Sequence, residues 1–314
     1  MQKPIAQYFI DFLEYIEVEK GLSSNTVKNY GRFLKRFIEW LQMSKLAYIT
    51  PKELTEEHVR KYRIWLSRLP NDMRNLSTTL QTSTQSRYLI ALRMFLVFFH
   101  ERNIESLPTE KIKLPKEHRE RLVKFLDAAQ VENLCEAVDM KTKAGLRDRA
   151  ILESLFSTGL RVAELVALDR KQFAGVRNSS DFEISITGKG GYPRTVYFSE
   201  RALSYLQKYL LSRHDDDEPL FVRLKGPGDD SKRLSTRAIE DIVQKYAKKV
   251  GLPFLATPHT LRHSFATDLL TQGVDLRSVQ EFLGHRNIAT TQVYTHVTSK
   301  RLRELHRKFH GRKT

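Results

Sequence analysis

The stretch Thr158-Gly159-Leu160-Arg161-Val162-Ala163-Glu164-Leu165 interrupts a helical pattern of apolar residues. We expect Gly159 to end one helix, because glycine readily adopts the left-handed conformation in which helices commonly close. Arg161 then falls in the first turn of the next helix, where the positive end of the helix dipole disfavours a cation by roughly 0.3 kcal/mol or more. Two interpretations stay open: an exposed pair between Arg161 and Glu164, or an anion bound between the arginine and the free helix amides.

The same arrangement recurs in Thr257-Pro258-His259-Thr260-Leu261-Arg262-His263. Thr257 is a favourable helix cap and Pro258 a favourable first helical residue. His259 and Arg262 are three residues apart and therefore share a helix face, from which both could reach one phosphate group. A solvated basic turn is the alternative. His259 and His263 also have the spacing of zinc ligands, but the turn lacks the glutamate of a zinc hydrolase, which argues against a metal site.

Two further segments contain candidate functional residues whose interpretation depends on the other motifs being present. Lys189 lies in Thr187-Gly188-Lys189-Gly190-Gly191, the predicted tip of a hairpin, where glycines let the backbone approach a ligand but where a lysine also serves solubility. Gly284-His285 ends a predicted helix, and Tyr294 follows His285 nine residues later. A phenol with a pKa near 10 is a poor nucleophile at pH 7 unless arginines and a histidine stabilise its anion.

The composition favours a nucleic-acid partner. With 53 basic and 37 acidic side chains among 314 residues, the formal net charge is +16, and such a surplus repels itself unless a polyanion covers it. The single cysteine, Cys135, excludes an internal disulfide or a thiolate cluster and indicates a reducing compartment. The longest apolar run, residues 94–99, is too short to span a bilayer, so we expect a cytoplasmic, nucleoid-associated protein.

The pattern of elements predicts a mainly α protein with a small antiparallel β-sheet, an α+β fold with two domains. Residues 1–113 have four helical patterns, which predict an all-helical first domain whose second helix is capped by Ser24. Residues 114–121 are charged and aperiodic and are interpreted as a linker. Residues 122–314 alternate helices with one pair of strands, which predicts the second domain, including a C-terminal helix.

The order of the motifs resembles that of the tyrosine recombinase, or phage integrase, family. The resemblance covers nearly the whole chain. Residues 21–26 and 86–93 are similar to parts of the family's helical core-binding, SAM-like domain. The chain starts directly at this domain and so resembles the compact Xer-type recombinases more than the lambda-type integrases. The implied catalytic set is Arg161, Lys189, His259, Arg262, His285 and Tyr294.

This resemblance implies a site-specific recombinase that cleaves and rejoins duplex DNA through a 3'-phosphotyrosine, without ATP, metal or another cofactor. Glu164 is implied to support Arg161. The implied partner is a double-stranded DNA recombination site, bound by a homo-tetramer on two sites or by a hetero-tetramer with a paralogous recombinase. The candidate DNA contacts in the first domain are Arg32, Lys35, Arg87 and Arg93.

The biological role and two other classes stay open at this stage. The role is expected to be Xer-like resolution of chromosome or plasmid dimers, or simple integration. A type IB-like topoisomerase uses the same tyrosine chemistry without a partner duplex, and a DNA-binding module that has lost catalysis is the non-enzymatic alternative. A basic tail at residues 299–309 has Leu302, Leu305 and Phe309 at helical intervals, and this stripe needs a partner surface.

Overall fold

The computed structural model describes residues 2–72, 75–115, 124–174, 182–188, 193–224 and 232–284, with the backbone alone for residues 72 and 75–78. Contacts divide the chain into two units, residues 1–120 and residues 121–314. Each unit has its own hydrophobic core. Among the described residues, no helix combines the length and apolar character that crossing a bilayer requires.

The first unit is built from helices that bury aromatic faces. Its α-helices are α1 (Phe9–Glu14), α2 (Ser24–Met43), α3 (Glu56–Arg68) and α4 (Thr82–Glu101). A 3-10 turn (Ile5–Tyr8) precedes α1 and a π turn (Tyr15–Glu19) follows it, so the first of the four helical patterns consists of three segments with different hydrogen-bond spacing. The predicted cap, Ser24, is already helical, and Ser23 takes the cap position with extended backbone.

A short hairpin joins α3 to α4, and here the prediction of an all-helical first domain was wrong. Strands β1 (Pro70–Asp72) and β2 (Asn75–Thr79) pair in antiparallel fashion, with Pro70 opposite Thr79. The pairing begins outside the strands, because the backbone N–H of Leu80 donates to the carbonyl of Leu69 over 2.9 Å. The segment is rich in Ser, Thr and Asn, a composition typical of loops, but its strands pair with each other through backbone hydrogen bonds.

The second unit surrounds one buried helix. Its helices are α5 (Ala128–Glu136), α6 (Lys143–Thr158), α7 (Val162–Val166), α8 (Glu200–Leu211), α9 (Thr236–Lys249), α10 (Pro258–Gln272) and α11 (Leu276–Leu283). Residues 148–155 of α6 are all buried, which is typical of a helix covered on every side. Helices α5, α8, α9 and α10 contact it.

The two strands of the second unit form the predicted antiparallel pair. Strands β3 (Phe182–Thr187) and β4 (Pro193–Phe198) are paired from Phe182 opposite Phe198 to Thr187 opposite Pro193. Ile184 and Val196 face the core from opposite strands, in agreement with the alternation in the sequence. The strands lead into and out of the segment that contains Lys189, which lies outside the described residues.

The core of the first unit gives a stability prediction. Phe12 is fully buried, and its ring centroid lies 5.0 Å from that of Phe95 and 5.9 Å from that of Phe98. We expect Phe12→Ala to lower the free energy of unfolding of this unit by about 3–5 kcal/mol, because it opens a cavity among aromatic rings. Urea denaturation, monitored by hydrogen exchange of the amides of residues 2–112, measures the loss in the free energy of unfolding. Val18→Ala, at a position 78% exposed, is the control and should change little; equal effects of the two variants would contradict the assigned core.

Candidate active site

The turn between α6 and α7 depends on a glycine. Any other residue at this position would have to displace a neighbouring side chain. Gly159 ends α6 in the left-handed region, with φ of 59°. A Cβ atom at this position would lie 2.4 Å from Cδ1 of Phe265, a side chain of α10. The chain therefore turns in close contact with α10, as only glycine permits. Arg161 follows with extended backbone and occupies the cap position of α7, one residue earlier than the first-turn position expected from the sequence.

Arg161 and Glu164 form the ion pair that was one of the two interpretations of this turn. Nη1 of Arg161 donates to Oε1 of Glu164 over 2.9 Å, and the backbone N–H of Arg161 donates to Oε2 over 2.8 Å. The carboxylate thus satisfies an amide at the helix start that would otherwise have no partner. The side chain of Arg161 is still 33% exposed. The pair therefore leaves part of the guanidinium accessible to an anion.

Glu164 also binds a second arginine, which the sequence interpretation missed. Nη1 and Nη2 of Arg194 donate to Oε1 and Oε2 of Glu164 over 2.8 and 2.7 Å. Burial by itself raises the pKa of a carboxyl group, but the hydrogen bonds and charge of Arg194, together with the bonds from Arg161, lower the pKa of Glu164 to about 2. Glu164 is therefore ionised throughout the physiological range.

A signal for Arg194 is present in the strand pattern. Arg194 lies directly opposite Ile186, so it belongs to the same core-facing side of the sheet as Val196. A charged residue on an apolar strand face requires an ionic or hydrogen-bonding partner, because an unpaired buried charge is costly. Extending the alternation of β4 back from Val196 would have singled out Arg194 as a residue with a buried partner.

Arg262 is buried and connects two helix ends. It projects from α10, and its guanidinium donates through Nη1 to the carbonyl of Gly159 and through Nη2 to the carbonyl of Leu283, the latter over 2.6 Å. Only 3% of the residue is exposed. Carbonyl groups at helix C-termini carry partial negative charge and lack intrahelical donors, so they are favourable partners for a cation.

The end of α11 lies against the same group of side chains. Gly284 closes α11 in the left-handed region, with φ of 61°, and its carbonyl lies 3.4 Å from Nη2 of Arg161. A Cβ atom at residue 284 would lie 2.7 Å from Cδ of Arg194. Arg161, Glu164, Arg194 and Gly284 therefore converge. His285 and Tyr294 follow Gly284 in the chain and lie outside the described residues.

His259 lies at the start of α10, where its side chain is exposed. Its Nε2 lies 2.8 Å from Nε2 of His263, and the two rings are nearly perpendicular, at 74°. Partial desolvation and the positive charges of Arg262 and Arg161 lower the pKa of His259 below its ordinary value of 6.5. The neutral form of the ring is therefore favoured at pH 7. Across the described ranges, no group of three or more His, Cys, Asp or Glu side chains could hold a metal ion.

The candidate DNA contacts of the first unit differ in their surroundings. Arg32 and Lys35 on α2 and Arg87 on α4 are exposed. The rings of Phe33 and Tyr88, next to Arg32 and Arg87 in the chain, meet with centroids 4.9 Å apart where the two helices pack. Arg93 is half-buried, and its Nε donates to the carbonyl of Ile112 over 2.8 Å. Arg93 is therefore held within the unit by a bond to a distant part of the chain.

Comparison with known proteins covers both units. Residues 124–301 match the phage integrase family, and residues 9–103 match the phage integrase N-terminal SAM-like domain. Tyrosine recombinase XerC of Pelotomaculum thermopropionicum is 36% identical over 96% of this chain and 97% of its own. Tyrosine recombinase XerD of Listeria monocytogenes is 36% identical over 96% of this chain and 98% of its own. The crystal structure of XerH bound to the palindromic difH substrate in a post-cleavage complex is similar with a TM-score of 0.70 and 25% identity, over 90% of this chain and 79% of that one.

The lowered pKa of Glu164 gives a prediction for acid stability. Because its folded-state pKa is about 2 against an ordinary 4.5, the carboxylate contributes its full stabilisation above pH 4.5, and this is lost as the pH falls towards 2. The shift corresponds to roughly 3 kcal/mol at about 1.4 kcal/mol per pKa unit. We expect Glu164→Gln to be less stable than wild type at pH 7 and to lose less stability between pH 4.5 and 2.5. Urea denaturation against pH measures both, and parallel profiles for the two proteins would contradict the assignment.

Proposed function

Because the chain belongs to the phage integrase family and is a site-specific tyrosine recombinase that cleaves and rejoins DNA, we propose that Arg161 and Arg262 bind the scissile phosphate and that Tyr294 attacks it. One observation supports this most strongly. Arg161 and Arg262 are distant in sequence, yet both lie at the helix ends closed by Gly159 and Gly284. Arg161 follows Gly159 by two residues and its Nη2 lies 3.4 Å from the carbonyl of Gly284. Arg262 donates to the carbonyls of Gly159 and Leu283. Both arginines therefore lie at the point from which the segment bearing Tyr294 departs.

The proposed chemistry conserves the energy of the phosphodiester bond. The phenolic oxygen of Tyr294 attacks phosphorus, the bond to the 5'-oxygen breaks, and a 3'-phosphotyrosine remains. Lys189 gives a proton to the leaving 5'-oxygen. In the reverse step a 5'-hydroxyl of the partner strand attacks the phosphotyrosine, and Tyr294 leaves with a proton. Because one ester replaces another in each step, no ATP is consumed.

The arginines are proposed to take the place of metal ions. As the phosphorus becomes five-coordinate, charge on its non-bridging oxygens increases, and guanidinium groups fixed beforehand stabilise it without reorganising. Arg262 is fixed by carbonyls at two helix ends, and Arg161 is fixed by Glu164. The hydrogen bonds from donors positioned in this way become stronger in the transition state, and stabilisation that is greater in the transition state than in the ground state accelerates the reaction.

His259 is proposed to donate a hydrogen bond to the phosphate and, with His285, to move the proton of Tyr294. A neutral imidazole suits this task, because it can donate through one nitrogen without adding a third positive charge beside Arg161 and Arg262. The lowered pKa of His259 supports this state at pH 7. Glu164 is proposed to position Arg161 rather than to contact substrate.

The substrate is proposed to be a double-stranded recombination site. The net charge of +16 suits a polyanion, and the similar XerH recombinase binds its difH substrate in the crystal. Arg32, Lys35 and Arg87 are proposed to contact the DNA from the first unit, because their side chains are exposed. The XerC and XerD relatives favour a recombinase, acting at the nucleoid in Xer-like dimer resolution, over a topoisomerase, a simple integrase or an inactive binding module.

A tetramer on two DNA sites is proposed as the active assembly, joined by the C-terminal tails. The tail has the stripe Leu302, Leu305 and Phe309 among basic residues. A groove of about 570 Å³ in the second unit is lined by apolar side chains, by polar Ser and Thr residues, by three acidic residues and by one arginine, Arg201. The acidic residues are Glu132, Glu153 and Asp268. The chemistry of the groove suits an amphipathic basic helix from a neighbouring protomer. The apolar lining includes Val131, Phe156, Phe265, Leu269 and Phe282.

The assignment of the nucleophile is tested with a suicide substrate, which has a nick beside the cleavage point so that the short 5'-hydroxyl fragment diffuses away. We expect wild-type protein to accumulate a covalent adduct in excess chelator. Tyr294→Phe should form no adduct while binding DNA within about threefold of wild type, because the hydroxyl contributes to chemistry rather than affinity. Denaturing electrophoresis measures the adduct. Tyr48→Phe, at a position 86% exposed, is the control and should react normally; an adduct in Tyr294→Phe refutes the assignment.

The role of the tail is tested by truncation after Thr298. We expect binding to a single half-site within about threefold of wild type, but strongly reduced cooperative binding to a full site and loss of recombination, because each tail completes a neighbour. Gel-shift titration and a two-site recombination assay measure these. Leu305→Glu disrupts the apolar stripe without removing the tail and should reproduce the defect. Normal recombination by Leu305→Glu, or unfolding of that variant as a free protein in solution, would overturn the proposal that each tail docks into a neighbouring protomer.

A further inference from the structure

Arg194 has the most buried ionic contact of the site. Its side chain is 10% exposed and that of Glu164 is 8% exposed, whereas that of Arg161 is 33% exposed. Two terminal nitrogens of Arg194 meet the two oxygens of Glu164, the paired geometry in which arginine binds carboxylate most strongly. Glu164 is therefore bound to Arg194 by two side-chain bonds and to Arg161 by one.

This difference in the number of bonds to Glu164 determines how much of the Arg161 guanidinium is available to an anion. A single carboxylate faces two guanidinium groups, and its negative charge is largely compensated by Arg194. Arg161 gives only Nη1 to Glu164, while Nη2 lies 3.4 Å from the carbonyl of Gly284, close to the limit of a hydrogen bond. Without the charge of Arg194, Glu164 would have Arg161 as its remaining cation in this group and would compete with a phosphate for it.

Arg194 also joins the three segments that border proposed catalytic residues. It lies beside Pro193, which pairs with Thr187 at the base of the hairpin that leads to Lys189. It binds Glu164 in the turn of Arg161, and its side chain packs against Gly284, which precedes His285. Its Nε is buried and has no hydrogen-bond partner among the described residues. One side chain thus contacts or adjoins each of these segments.

We propose that Arg194 is a positioning residue for DNA cleavage: it neutralises Glu164 so that Arg161 is available to the scissile phosphate, and it fixes the hairpin base against the Gly284 turn. The inference rests on the proposed role of Arg161. The proposal gives Arg194 no contact with the DNA. Its effect is transmitted through Glu164, so the two residues are coupled in a way that a double-variant cycle detects.

The test measures single-turnover formation of the covalent adduct on a suicide substrate. We expect Arg194→Gln to cleave at least about 30-fold more slowly than wild type while binding DNA within about threefold. Combining Arg194→Gln with Glu164→Gln should restore about tenfold of that loss, because the neutral amide no longer competes for Arg161. Arg147→Gln is the matched control: Arg147 is 12% exposed and pairs with Asp148 at the other end of α6. This control should cleave within about threefold of wild type.

A second substrate separates charge positioning from simple loss of structure. A methylphosphonate at the scissile position lacks one charged oxygen and so depends less on Arg161. The defect of Arg194→Gln should therefore shrink about tenfold or more on this substrate, and Arg194→Lys, which retains the charge, should cleave faster than Arg194→Gln. Thermal unfolding establishes that each variant is folded. If Arg194→Gln is unfolded, the two substrates are compared with Arg194→Lys and with the double variant instead.

The outcomes distinguish the inference from the function on which it rests. A folded double variant that cleaves no better than Arg194→Gln, or an equal defect on both substrates, would show that Arg194 serves structure alone. Cleavage by Arg194→Gln at the wild-type rate would also overturn the inference. Failure of wild-type protein to form an adduct, or an unimpaired Arg161→Ala variant, would instead refute the proposed active site.

Discussion

The geometry of the site depends on the hydrogen bonds made by the buried guanidinium of Arg262. The guanidinium donates to the carbonyls of Gly159 and Leu283, at the ends of α6 and α11, and so holds together two turns that are far apart in sequence. These acceptors compensate part of a buried positive charge, and the guanidinium in turn satisfies carbonyl groups at two helix ends. Arg161 follows the first turn and Gly284 belongs to the second. The bonds of Arg262 therefore contribute to the placement of both, together with Glu164 at the first turn and Arg194 at the second.

An excess of positive charge among the described residues also organises the site. Arg161 and Arg194 share the carboxylate of Glu164, and Arg262 donates to the carbonyl of Gly159 beside them. Arg194 is compensated by Glu164 and Arg262 by helix-end carbonyls, so the remaining attraction for an anion is concentrated at Arg161 and its surroundings. Fixed charges and dipoles of this kind suit the phosphate diester proposed as the substrate. Desolvation, together with the charges of Arg262 and Arg161, lowers the pKa of His259.

Much of this architecture is readable in the sequence, because it depends on local rules. The apolar alternation of β3 and β4 and the helix stops at Gly159 and Gly284 are local patterns, and the structure contains them. The hairpin between α3 and α4 was missed, because its residues are polar and its stability comes from pairing. The alternation of β4 is enough to single out Arg194 as a residue that needs a buried partner. No local pattern indicates that this partner is Glu164, because the carboxylate lies thirty residues earlier in the chain.

The separate cores of the two units have an evolutionary consequence. The aromatic cluster around Phe12 and the cluster around α6 share no residue. Substitutions on the exposed faces of α2 and α4, where Arg32 and Arg87 lie, can accumulate without disturbing the packing that orders Arg161 and Arg262. Given the DNA contacts proposed for the first unit and the catalytic residues proposed for the second, a lineage of such enzymes can change how it contacts DNA through one half of the chain while inheriting its chemistry through the other.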